Sequence, residues 1–141
     1  MKPTKSELIE WLNAQMLCVI STIGQDGQPN AATVAFWQTD HLTFVIITDD
    51  SSRKAINIAT DNRVAITVTG TDRRTMQLEG KARRLNPDEF EMYEQHYYAK
   101  MPFLLPLKSA PGQTSIAITP THIRFTDITL RPWALTEFRF D

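Results

Sequence analysis

The chain has 141 residues, 42% hydrophobic and 22% charged, an ordinary globular composition with enough length to bury one core without covalent staples. A formal net charge of −1 supplies no general basic field, so nucleic acid is not an expected partner, and the single cysteine, Cys18, forbids an internal disulfide and suits a reducing compartment. No apolar run approaches the roughly 20 residues of a membrane-spanning helix. The opening MKPTKSELIEWL has neither an apolar signal core nor a small-residue cleavage site, so we expect a soluble, cytoplasmic protein of one domain, residues 1–141.

In chain order, TKSELIEWLNA (residues 4–14) fits a short amphipathic helix, with Thr4 and Glu7 spaced as a capping box and Trp11 on the face that should enter the core. MLCVISTIG (16–24) is apolar and β-branched, a strand in which Cys18 reads as a buried structural thiol. GQDGQPN is turn chemistry. AATVAFWQTD (31–40) and HLTFVIIT (41–48) follow as two strands joined by a tight turn at Asp40–His41. A short helix, with Ala55, Ile56, Ile58 and Ala59 as its apolar side, ends at Asp61–Asn62.

RVAITVTG and TMQLEGKARRL form a hairpin across GTDR. NPDEFEMYEQHYYAK begins a third helix, capped by Asn86 with Pro87 at its first position and with Glu89, Glu91 and Glu94 on a solvated side. MPFLLPLKSAPGQ carries three prolines and reads as a loop. TSIAITP and HIRFTDITL alternate as two late strands before the tail RPWALTEFRFD, which holds Trp133, Phe138 and Phe140. Many short strands joined by hairpins, with few helices, predict an antiparallel barrel rather than a parallel sheet.

Most chemistry-bearing residues have ordinary readings. His41, His96 and His122 are far apart and pair with no cysteine or second histidine at ligand spacing, so no metal site is expected. Neither a phosphate-binding glycine–lysine loop nor G-x-G-x-x-G is present. The exception is ITDDSSRKAINIATDN (47–62). Its helix begins at a serine cap and then places Arg53 and Lys54 in the first turn, where exposed N–H groups already make the helix end positive. Two readings stand open: surface ion pairs to Asp49, Asp50 or Asp61, or an anion shared by a serine hydroxyl, helix N–H groups and both cations.

The run LCVISTIGQDGQPNAATVAF through LTFVIITDDSSRKAINIATDNRVAITV to MQLEGKARRL resembles the split-barrel family typified by pyridoxamine 5′-phosphate oxidase. The order of elements, the Ser52-x-Lys54 turn before a short helix and the later Leu78-Glu79-Gly80-x-Ala82 strand carry the resemblance over residues 5–85. ARRL and IRFTDITL resemble a poorly characterised subgroup of it.

The resemblance implies a mainly β fold, a six-stranded antiparallel Greek-key split barrel with peripheral helices. It also implies a homodimer that binds FMN between its subunits. Carried onto this chain, Ser52, Arg53 and Lys54 would hold the FMN phosphate and Thr48 would lie near the ribityl chain. Ala32, Thr33 and Val34 would run along the isoalloxazine. Thr75 stands where the oxidase has a flavin-contacting glutamine, with Gln77 two residues on, and Trp133 would reach the partner's flavin. The oxidase's C-terminal arginine–histidine substrate motif has no counterpart in the tail, so vitamin B6 oxidation is not implied and no catalytic residue is named. The implied activity is small-molecule oxidoreduction. The alternative is a non-catalytic flavin-binding protein or, since related barrels also hold haem or a deazaflavin, a haem-binding one using His122 or His96 as axial ligand.

Overall fold

The computed structural model describes residues 2–141. Helix α1 (Lys5–Asn13) precedes strands β1 (Leu17–Ile23), β2 (Pro29–Ala35), the two-residue β3 (Trp37–Gln38) and β4 (Phe44–Asp49). Helix α2 (Arg53–Thr60), β5 (Arg63–Thr69), β6 (Arg74–Arg84) and helix α3 (Pro87–Lys100) follow. A 3-10 turn at Pro102–Leu107 leads into β7 (Gln113–Asp127) and β8 (Ala134–Arg139). The sheet is antiparallel, in the order β2-β1-β5-β6-β7-β4-β3, with β8 added to β7.

The sheet curls into a half-barrel. Cys18 and Ile20 on β1 share one buried cluster with Phe44 and Ile46 on β4, although three strands separate β1 from β4 in the sheet. The alternation on β5, with Val64, Ile66 and Val68 buried between exposed neighbours, supplies the period of two that such a sheet needs. Helix α1 closes one end of the core with Leu8, Trp11 and Leu12. Its capping box is formed as expected, and the Trp11 indole N–H donates to the Asp72 carboxylate at 3.2 Å. Gly70 faces that indole, where a Cβ would come within 2.9 Å of the ring. A second, smaller cluster of Val45, Leu85, Tyr97, Tyr98, Met101 and Ala117 lies beneath α3.

Four expectations change. Eight strands replace six, because the tail forms β8 and Trp37–Gln38 separates from β2. The proline-rich segment contains a 3-10 turn rather than a plain loop. Ile56 and Ala59 are exposed on α2, and the polar Asn57 is buried beside Ala55 and Ile58.

The two late strands are one strand of 15 residues running through Pro120. Pro120 is tolerated because it sits where the β6–β7 register shifts, at a bulge beside Glu79 and Gly80. There a Cβ on Gly80 would lie 2.5 Å from the Thr119 carbonyl oxygen. No helix among the described residues is long and apolar enough to cross a membrane.

Candidate functional site

Helix α2 begins at Ser52, whose hydroxyl oxygen accepts from the Ala55 N–H at 3.3 Å and from the Thr48 hydroxyl at 3.0 Å. The end of β4 is thereby tied to the helix start. Arg53 and Lys54 follow in the first turn, with no acid beside them there.

The three carboxylates that could neutralise them are engaged elsewhere. Asp49 accepts from the hydroxyl and backbone N–H of Ser51, which hold its carboxyl below the usual range. Asp50 pairs with Arg84 at 2.9 Å. Asp61 pairs with Arg63 at 2.8 Å, and that hydrogen bond brings its pKa down to about 2. Among the described residues, neither Arg53 nor Lys54 has an ion-pair or hydrogen-bonding partner. Of the two readings open from sequence, the ion pairs are not made.

Both cations instead line a recess of about 120 Å³ with Ile20 and Thr22 of β1 and Asn30, Ala31 and Ala32 of β2. Asn57, 3% exposed, holds the helix against these strands, since its amide nitrogen donates to Thr22 Oγ1 and Asn30 Oδ1, each at 2.9 Å. Sequence reasoning missed Asn57. Its only signal was a polar residue between Ile56 and Ile58.

The remaining expected residues lie elsewhere. Thr75, Gln77 and Trp133 line a separate recess of about 440 Å³ with Arg124, Thr126, Ile128 and Leu135. Thr75 and Gln77 alternate with buried Met76 and Leu78, so this recess is on the outer face of the sheet. Gln77 stands opposite Arg124, which the sequence reading did not single out. Trp133 is 59% exposed, with the Arg131 guanidinium 5.9 Å from its ring centre.

Thr33 also faces outward, opposite Val19, and a cross-strand row Thr33–Val19–Thr67–Gln77 runs over the outer face. Val34 turns inward and packs, partly buried, against the main core rather than lining either recess. The candidate residues thus form two groups. Ala32, Thr48, Ser52, Arg53 and Lys54 gather at the start of α2 over the inward face, and Thr75, Gln77 and Trp133 lie on the outer face.

The histidines form no centre. His96 stacks on Trp37 with ring centres 5.2 Å apart, and His122 lies between Glu79 and Glu137 at 3.8 and 3.7 Å with its Nε2 buried and without a hydrogen-bonding partner. No group of three or more metal-ligating side chains occurs among the described residues. Cys18 is buried, and burial pushes its thiol up to about 12, the wrong direction for a nucleophile.

An antiparallel half-barrel with a cation-bearing helix start packed on its first two strands defines a class of small split-barrel proteins. The family described as pyridoxamine 5′-phosphate oxidase matches residues 4–127, and the chain belongs to that family. A UPF0306 protein from Enterobacter sp. (strain 638) is 31% identical over 100 residues, covering 67% of this chain and 68% of the relative. The pyridoxine/pyridoxamine 5′-phosphate oxidase of Cupriavidus pinatubonensis (strain JMP 134 / LMG 1197) is 31% identical over 84 residues, covering 59% of this chain and 38% of the enzyme. A heme binding protein from Mycobacterium smegmatis has a similar fold, with a TM-score of 0.82 at 16% identity over 99% of this chain and 59% of that one. This chain therefore spans less than two thirds of the oxidase and of the heme binding protein.

Proposed function

We propose that this protein is an FMN-binding flavoprotein that works as a homodimer and oxidises or reduces a small molecule. The observation that carries the reading is the pair of uncompensated cations, Arg53 and Lys54, at a serine-capped helix start whose neighbouring acids are all engaged elsewhere. A terminal phosphate suits that place because helix N–H groups, a hydroxyl and two cations all favour an anion. The recess of about 120 Å³ that both cations line gives such a group a place beside the helix start. Bound FMN would supply the hydride chemistry, and the chain's part is to position and polarise.

In that role Ser52, Arg53 and Lys54 hold the phosphate, Thr48 fixes the Ser52 hydroxyl, and Ala32 presents β2 to the ring, while Thr33 faces the outer side of the sheet with Gln77. Val34 backs that strand from the core. Thr75, Gln77 and Trp133 lie on the other face of the sheet, so one ligand cannot touch both groups within a single chain. A two-fold partner bringing its outer face to the α2 edge would complete the site. The outward-facing Leu17 and Val19, 57% and 38% exposed, give such a partner apolar surface to cover.

The test is the absorption spectrum of the protein as purified, followed by titration with FMN and riboflavin. Two broad flavin bands, with FMN preferred over riboflavin, are expected. Absence of FMN binding at tens of micromolar, roughly −6 kcal/mol, would refute the reading. The similarity in fold to a heme binding protein motivates a second reading, which an intense Soret band would support. It is the weaker one, because the buried Nε2 of His122 would have to turn out of the sheet to reach an iron.

A further inference from the structure

A recess of about 420 Å³ opens beside α3 and shares no lining residue with the two recesses of the flavin reading. Its volume falls within the range of small-molecule sites, roughly 300–1,000 Å³. Ile47 of β4, Leu85 at the end of β6 and Phe90 of α3 give it an apolar lining. The β6–β7 ladder stops at Arg84 and Ile116, where the chain leaves for α3. Gln113 and Thr114 of β7 therefore border the recess with no strand paired on their β6 side.

Three donor side chains line the same space. Arg84 reaches Asp50 through Nη1 alone, at 2.9 Å, which leaves its Nη2 and Nε hydrogens without an acceptor among the described residues. The Lys108 ammonium meets Glu94 at 3.0 Å and carries two further hydrogens. Tyr98 is 8% exposed, yet its hydroxyl makes no hydrogen bond among the described residues. Burial raises its pKa and Glu94 adds to the rise, so the group stays an O–H donor at neutral pH. Asp50 is the one carboxylate in the lining, and it is engaged by Arg84. An apolar lining with donors to spare matches an anion carried on an apolar body.

We propose that this recess is a second binding site, for a small organic monocarboxylate with an aromatic or branched aliphatic body. The body lies against Ile47, Leu85 and Phe90, and the carboxylate accepts from Arg84, Lys108 and the Tyr98 hydroxyl. A single negative charge suits the site better than a phosphate dianion, because Asp50 and Glu94 already offset part of the two cations. The site lies within one chain and needs neither FMN nor a partner subunit.

The test titrates benzoate into the full chain, with benzyl alcohol as the uncharged counterpart, and follows the backbone amide resonances. Benzoate should saturate at low millimolar concentration or below, moving the amides of Leu85, Phe90, Lys108 and Ser115. It should bind about tenfold more tightly than benzyl alcohol. Arg84→Gln should remove most of that preference and leave benzyl alcohol binding unchanged. Tyr98→Phe keeps the ring and should weaken benzoate binding several-fold. Equal affinity for the two probes, shifts that do not saturate, or a response confined to Arg53 and Lys54 would overturn the site. So would wild-type benzoate affinity in both variants. Circular dichroism separates lost binding from lost fold, and should Tyr98→Phe not fold, Arg84→Gln, at an exposed position, decides.

Discussion

Arg84, the last residue of β6, donates to the Asp50 carboxylate at 2.9 Å across 34 residues of sequence, and so holds the acid nearest the α2 cap away from Arg53 and Lys54. Both partners are about half exposed. Arg84→Ala should therefore change fold stability by less than about 1 kcal/mol. The freed Asp50 charge should weaken FMN binding several-fold at low ionic strength and less at high. Chemical denaturation and FMN titration at two salt concentrations check this. Salt-independent FMN affinity in the variant would contradict it.

Neutralising the cations themselves should cost more. Arg53→Ala removes a charge-assisted hydrogen bond to phosphate worth about 1.5–3 kcal/mol, so FMN should bind roughly ten- to a hundredfold more weakly. Lys54→Ala should lose somewhat less, as a point charge rather than a planar fork. Riboflavin has no phosphate, and its affinity should barely move in either variant. Stability without ligand should hold or rise slightly, since two cations leave the positive end of a helix. An unchanged FMN affinity in Arg53→Ala would end the anion-site reading.

The tail supplies a test of assembly. Deleting residues 129–141 would strip β8 from β7 and remove Phe138 and Phe140, which pack against the main core, so that truncation should damage the monomer itself. Trp133→Ala is the cleaner change because Trp133 is 59% exposed. It should leave the melting temperature without ligand unchanged while weakening FMN binding. Light scattering at micromolar concentration should give a dimer for wild type and variant. A monomeric wild type that still holds FMN would exclude a shared site.

A pH effect follows from Lys100. Its ammonium donates to the Leu12 carbonyl at 3.3 Å and lies 3.8 Å from the Phe36 ring centre, and burial lowers its pKa from 10.5 to about 8. A cation with a depressed folded pKa is held against its preference at low pH, so the unfolded chain binds more protons between about 8 and 10.5. Stability should rise with pH through that window. Cys18 acts oppositely, because its thiol stays protonated in the fold up to about 12 and stability falls above its ordinary value of 9. The clean interval is pH 8 to 9, where Lys100→Met should flatten the rise seen in wild type. Equal slopes in urea denaturation of the two proteins would refute the assignment.

Local signals in the chain sufficed for most of this fold. The capping boxes of Thr4–Glu7 and Asn86–Glu89, the serine cap of α2 and the alternation of β5 all act within a few residues, and the structure contains each of them. Pro120 misled, because a proline reads as a strand end unless its own strand bulges beside it, and that bulge, which leaves Thr121 without a cross-strand partner, shows only against Glu79 and Gly80, some 40 positions earlier. The helix side of the site was legible for the same local reason, as cations standing where a helix is already positive. Asn57 was not legible, because its partners Thr22 and Asn30 lie 35 and 27 residues away and nothing in ATDN or AINI announces them. The third helix is also less solvated than its acids suggest: Glu89 pairs with Arg83 and Glu94 with Lys108.

Among the described residues, strand β7 alone joins β2-β1-β5-β6 to β4-β3 in the sheet order. A chain emerging during synthesis must therefore hold two unjoined fragments, with the edges of β4 and β6 bare, until residues 113–127 appear. Exposed strand edges with apolar faces are the sites at which incomplete chains associate, and late, distant pairings slow closure. The protein should consequently have a vulnerable interval in its birth. A fragment ending at residue 112 should be protease-sensitive and aggregate, whereas one ending at residue 128 should protect the β4–β7 and β6–β7 amides, though less well than the full chain, which also has β8.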